Sequence, residues 1–171
     1  MAEPPRLLLV CLGNICRSPM AEGALRMRLD EAGLRHVIVD SAGTGDWHAG
    51  DPPDRRAIAT AARHGVDISG LRARQLRPAD YTRFDWLLCA DLQNLRDVRA
   101  RQPAAASARI ELFTRWAGVD GAGDGAIPDP YTGGHDEFEH VWSVVDAAAA
   151  AAVRRLRTAT GGAGRRPGID A

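Results

Sequence analysis

Two patterns alternate along the chain: short continuous apolar runs, and longer segments with apolar residues at helical spacing. The first run, Leu7-Leu8-Leu9-Val10, is broken by the glycine of Cys11-Leu12-Gly13-Asn14 and predicts a strand buried on both faces. Ser18-Pro19 then opens a helix, with Pro in a tolerated first-turn position and Glu22 near the positive end of its dipole. Met20, Ala24, Met27 and Ala32 follow at helical spacing as core residues, and Gly33 stops the segment. His36 to Asp40 predicts a second strand, Phe84 to Ala90 a third and Ile110 to Phe113 a fourth. Between them lie a Gly- and Pro-rich loop from Ser41 to Asp54, a helix from Arg55 to His64 stopped by Gly65, and a helix capped by Asp91 and running to Arg101. Gly118 to Gly134 holds six glycines and predicts a long irregular loop of the kind that usually carries function. Glu137 to Thr158 predicts a final helix with Val141, Val145, Ala149, Ala152 and Leu156 along one face.

Strands alternating with helices imply an α/β fold: one three-layer domain whose central four-stranded parallel sheet carries helices on both faces. Residues 1–160 form that domain, and residues 161–171, rich in Gly and Arg, read as a disordered tail. No repeat or linker divides the chain. Ligands of such sheets bind at the carboxyl ends of the strands, where the Cys11 and Ser41 loops fall.

Composition narrows the function classes. A chain of 171 residues with 45% hydrophobic and 26% charged residues is long enough for one real core. Zero formal net charge argues against nucleic-acid binding, which needs a basic excess. All 22 basic residues are Arg, a bias that warns against weighting any single one. No apolar run approaches the roughly 20 residues that span a bilayer, and the start shows no signal-peptide pattern. The expectation is a cytoplasmic protein, without membrane contact, whose three cysteines stay free. Neutral charge leaves a monomer or weak dimer as the expected state.

The candidate chemistry centres on Cys11 and Arg17. A Cys six positions before an Arg is weak evidence by itself, since chance supplies about 0.4 such pairs in this composition. The context is stronger, because the pair spans a strand-to-helix loop whose backbone N–H groups converge on one point at a helix N-terminus. Arg17 adds a planar fork for two phosphate oxygens, and the same field favours the thiolate of Cys11. An ATP-type phosphate loop would need a Lys, and the chain has none. A phosphoester also needs a proton donor for its leaving group. Ile127-Pro128-Asp129-Pro130-Tyr131 offers Asp129, with the backbone restricted on both sides.

The stretch VCLGNICRSPMAE (Val10 to Glu22) resembles the active-site signature of the low-molecular-weight protein-tyrosine phosphatases, and Asp129-Pro130-Tyr131 resembles their acid loop. Ser41-Ala42-Gly43-Thr44, Leu88-Cys89-Ala90-Asp91 and Asn94-Leu95 resemble family segments in the right order, so the likeness runs from Arg6 to about Arg157. The resemblance implies a bacterial-type enzyme that needs no cofactor or metal. In it Cys11 forms a phosphocysteine, Arg17 and the loop Leu12, Gly13, Asn14, Ile15 and Cys16 hold phosphate, and Asp129 serves as acid and then base. Ser18 would donate to the Cys11 sulfur, and Asn14 with Ser41 would hold the loop. Trp47 and Tyr131 would flank the substrate ring, though either can be ordinary packing. Cys16 would protect the nucleophile through a reversible disulfide, or it is simply a buried small hydrophobe; Cys89 reads as core.

Two departures stand out. Leu71 replaces the His that usually supports the phosphate loop, and Thr132 replaces a second tyrosine of animal members. His135 and His140 have poor ligand spacing and read as surface residues. Arsenate reductase is the nearest rival, but its cysteine relay would need a thiol where Arg96 stands. A protein-arginine phosphatase would carry Thr at Ile15, and the bulkier Ile15 suits an aromatic substrate. A non-catalytic phospho-ligand module is the remaining alternative, disfavoured because Cys11, Arg17, Ser18 and Asp129 are all present. The implied partner is a tyrosine-phosphorylated protein, with bacterial tyrosine kinases of polysaccharide export as one candidate.

Overall fold

The computed structural model describes residues 3–119 and 123–164, with side chains described up to residue 159. Four parallel strands, β1 (Arg6–Cys11), β2 (Ile38–Gly43), β3 (Trp86–Cys89) and β4 (Arg109–Leu112), lie in the order β2-β1-β3-β4. Among the described residues six helices join and cover them: α1 (Arg17–Glu31), α2 (Arg55–Arg63), α3 (Asp80–Arg83), α4 (Leu92–Ala100), α5 (Phe113–Ala117) and α6 (His135–Gly164).

β1 is flanked on both edges, so the alternation of its side chains sorts them into two cores. Leu7 and Leu9 pack with α1, α2, α5 and α6, whereas Leu8 and Val10 pack with Tyr81 of α3 and Leu95 and Val98 of α4. Each such fully buried side chain contributes about 2 kcal/mol. This is the expected architecture, helices on both faces of a parallel sheet. In α6, Val141, Val145, Ala149, Ala152 and Leu156 are all buried along one face, as the 3.6-residue period requires. Arg28 of α1 grips Asp146 of α6 with two 2.8 Å bonds that fix the two helices together.

Several boundaries differ from the sequence reading. Ser41, Ala42 and Gly43 belong to β2 rather than to the following loop, because their backbones pair with Leu9, Val10 and Cys11. Phe113 starts α5 instead of ending β4, and α3 was absent from the expectation. Elements of four and five residues are too short to show a helical period. α6 begins two residues early and continues to Gly164, so the first four residues of the expected tail are helical. Residues 165–171, the rest of that tail, lie outside the described residues. No helix among the described residues is long and apolar enough to cross a membrane.

Candidate active site

The chain leaves β1 for β2 on one side and later enters β3 on the other, which opens a crevice at the carboxyl ends. β1 delivers Cys11 to that crevice, and residues 12–16 loop over to α1. Asn14 sits at φ 58°, the one non-glycine residue with positive φ among those described, a conformation Asn tolerates. Its side chain is bonded at both ends, through both amide hydrogens and through the oxygen. Nδ2 donates to Ser18 Oγ (2.8 Å) and Ser41 Oγ (3.0 Å), and Oδ1 accepts the Arg74 backbone N–H (3.0 Å). Ser41 in turn donates to Glu22 Oε1 (2.6 Å).

These bonds aim donors at the sulfur. Asn14 N–H points at Cys11 Sγ from 3.3 Å, and Ser18 Oγ lies 3.0 Å away. Because Ser18 Oγ accepts from Asn14, its own hydrogen is left for the sulfur. α1 has no side-chain cap and no acidic residue in its first turn, so its N-terminal amides remain for an anion. Gly43 completes the seat: a Cβ there would stand 2.7 Å from the Leu12 carbonyl oxygen, while Thr44 N–H and Gly45 N–H bond Cys11 O and Leu12 O at 2.9 Å. Only glycine lets β2 come this close to the loop.

Glu22 does more than face a helix dipole. Its side chain is 1% exposed, and Oε2 pairs with Arg26 Nη2 at 2.8 Å without hydrogen-bond alignment. Burial pushes its carboxyl up, against the Ser41 hydrogen bond and the Arg26 charge. Leu71, where the resemblance led one to expect a supporting His, packs half-buried against the core, and the Arg74 backbone serves Asn14 instead.

Arg17 is buried beside the sulfur. Its Nη1 donates to Asp91 Oδ2 (2.6 Å) and to Ile127 O (3.1 Å), and Nη2 lies 3.8 Å from Asp129 Oδ2. Burial alone would lower the guanidinium, but the Cys11 sulfur and Asp91 outweigh it and hold Arg17 raised. Asp91 was legible as the cap of α4 and as part of a family-like segment, and it does cap that helix by accepting Asn94 N–H at 2.7 Å. Burial, reinforced by Asp54, pushes the Cys16 thiol far up; burial does the same to Cys89, which sits in the core.

Asp129 stands half exposed at the crevice mouth, its side chain 49% accessible, and Oδ1 accepts Tyr131 N–H at 3.1 Å. A cavity of about 190 Å³ is lined by Cys11, Leu12, Ile15, Arg17, Asp129 and Tyr131, with Gly13, Cys16, Trp47 and His48 completing its wall. Trp47 is 70% exposed at the rim, so it is not core packing. His48, Asp54 and Arg56 carry no site role that the sequence announced. Arg56 binds Asp54 and the carbonyls of Tyr131 and Gly133, contacts that no local pattern announces. Among the described residues no group of three His, Cys, Asp or Glu is placed to hold a metal ion.

Comparison with known proteins agrees with this geometry. The family model for low molecular weight phosphotyrosine protein phosphatase matches residues 6–160. A low molecular weight protein-tyrosine-phosphatase of Streptomyces coelicolor is 40% identical over 154 residues, covering 89% of this chain and 93% of its own. The crystal structure of a protein tyrosine phosphatase from Entamoeba histolytica superposes with a TM-score of 0.84 at 29% identity, covering 91% and 99% of the two chains. A drosophila arginine phosphatase superposes with a TM-score of 0.81 at 27% identity, covering 88% and 97%. With the match spanning nearly the whole domain, the chain belongs to the low molecular weight phosphotyrosine protein phosphatase family of hydrolases.

Proposed function

We propose that this enzyme hydrolyses phosphotyrosine in proteins through a phosphocysteine formed on Cys11. The observation that carries the reading is the donor set around Cys11 Sγ, made by Ser18 Oγ and the Asn14 N–H, with Arg17 locked beside it by Asp91. The Cys11 thiolate attacks phosphorus, the S–P bond forms and the P–O bond to the phenol breaks. Arg17 and the amides of residues 12–17 hold the equatorial oxygens as charge develops. Asp129 passes its proton to the departing phenolate oxygen. It then takes a proton from the water that attacks phosphorus, while the S–P bond breaks and the Ser18 hydroxyl meets the returning thiolate.

Exposed Trp47 and Tyr131 on the wall of the cavity favour a planar aryl leaving group. Ile15, buried and lining the same cavity, favours that group over a guanidinium. The drosophila arginine phosphatase shares the fold, so the fold does not separate the two substrates and the side chains must. The partner class we propose is a tyrosine-phosphorylated protein of the cytoplasm, bacterial tyrosine kinases included, met by a monomer or weak dimer. Hydrolysis of phosphotyrosine and phosphoarginine peptides, measured side by side with orthovanadate as competitor, tests this. Vanadate-sensitive release from phosphotyrosine alone is expected. Preference for phosphoarginine would overturn the substrate assignment and the role of Ile15.

A further inference from the structure

Asp54 and Arg56 lie outside the residues that perform the proposed chemistry, yet they join the two loops that carry it. Asp54 N–H donates to Ile15 O of the phosphate loop at 2.8 Å. The Asp54 carboxylate takes Arg56 Nε at 3.0 Å and Nη2 at 2.9 Å. Arg56 then spans to the acid loop, with Nη1 on Gly133 O and Nη2 on Tyr131 O, both at 2.9 Å. Its guanidinium lies 4.6 Å from the Phe138 ring centroid, which seats it against the start of α6.

A bare helix cap would not need this arrangement. Capping α2 requires only Asp54 Oδ1 on Arg56 N–H, a bond present at 2.8 Å. Nothing in a cap requires the Arg56 side chain to reach carbonyls 75 and 77 residues away. The acid loop is otherwise anchored on its near side, where Ile127 N–H bonds Ala90 O at 2.8 Å and Ile127 O accepts from Arg17. Asp129 therefore stands between two anchors, and Arg56 holds the far side together with the Gly134 N–H, which donates to Glu137 Oε2 at 2.7 Å. A planar fork can hold two carbonyls and a carboxylate together, which a single ammonium cannot match in geometry.

We propose that the Asp54–Arg56 pair is a strut that fixes Asp129 relative to Cys11, making Arg56 a positioning residue for the proton-transfer step. The inference rests on the reading of Asp129 as general acid. Displacing a general acid by a fraction of its reach matters most when the leaving group is a poor one.

The test compares kcat/KM of Arg56→Gln, Asp54→Asn and Asp129→Asn across aryl phosphates of rising leaving-group pKa, with orthovanadate affinity and cooperative thermal unfolding measured in parallel. Arg56→Gln is expected to lose about tenfold or more on the poorest leaving group and little on the best, with vanadate affinity kept. Asp54→Asn keeps a capping oxygen and should steepen the same dependence to a smaller degree; if Arg56→Gln does not unfold cooperatively, Asp54→Asn decides. An equal loss across the series, or none, overturns the strut if Asp129→Asn itself is leaving-group dependent. A flat response of Asp129→Asn instead overturns the acid assignment on which the strut depends.

Discussion

Replacing Asn14 separates the two things that residue does. Asn14→Gly removes three side-chain bonds but keeps a residue at ease with φ 58°, whereas Asn14→Ala removes the bonds and adds backbone strain. Ser18 and Ser41 keep other partners, in Cys11 and Glu22, so losing their bonds to Nδ2 costs about 1 kcal/mol each. Among the described residues the Arg74 N–H has no partner besides Asn14 Oδ1 and is left orphaned, at roughly 1–3 kcal/mol. The glycine variant should therefore lose about 3–5 kcal/mol. Alanine in the left-handed region adds about 1 kcal/mol more. At about 2–4 °C per kcal/mol for a domain of this size, Tm should fall by ~10 °C for glycine and further for alanine. Vanadate affinity should fall in the same order, because Asn14 also holds its own N–H on Cys11 Sγ. Thermal unfolding with competitive vanadate inhibition reads both quantities. A glycine variant as stable and as tight as the parent would refute the network as the source of the loop's shape.

Three further predictions concern other groups. Ser18→Ala should slow the release of phosphate from Cys11 by about 100-fold, since one preorganised donor at the leaving sulfur is lost; a burst of phenol near one per site should persist in stopped flow, and loss of the burst itself would contradict the role. Glu22 has a folded pKa raised by burial, so its contribution to stability is full below its ordinary value of 4.5 and is lost as pH rises through the folded one. The stability of Glu22→Gln relative to the parent should accordingly improve from about pH 4 to pH 7, and a flat or narrowing difference would count against it. Iodoacetamide near neutral pH should modify Cys11 alone and be blocked by vanadate, because burial holds the Cys16 and Cys89 thiols up; adducts on Cys16 or Cys89 of the folded chain would contradict this.

What the sequence made legible was local. The run Leu7 to Val10 and the Cys11 to Pro19 loop announce a buried strand, a turn and a helix start within a few residues of one another. The final helix repeats its apolar period from Val141 to Leu156, about four turns. Ser41-Ala42-Gly43 looked like loop because small residues carry little strand signal, yet pairing with β1 decides their conformation. Glu22 looked like a dipole partner because burial cannot be read from position. The bonds of Arg17 to Asp91 and of Arg56 to Tyr131 O join residues 74 and 75 positions apart, so only the folded chain brings them together. Leu71 stands where the resemblance places a supporting His, and the Arg74 backbone N–H, which any residue but proline supplies, bonds Asn14 without a side chain.

The most direct measurement is a rapid acid quench of the enzyme during turnover of a phosphotyrosine peptide, followed by mass spectrometry of the peptide that contains Cys11. A phosphate adduct on Cys11 is expected, building up further in Ser18→Ala and absent from Cys11→Ser together with activity. Turnover with no adduct, and a Cys11→Ser variant that still releases phosphate at the parent rate, would contradict the phosphocysteine mechanism.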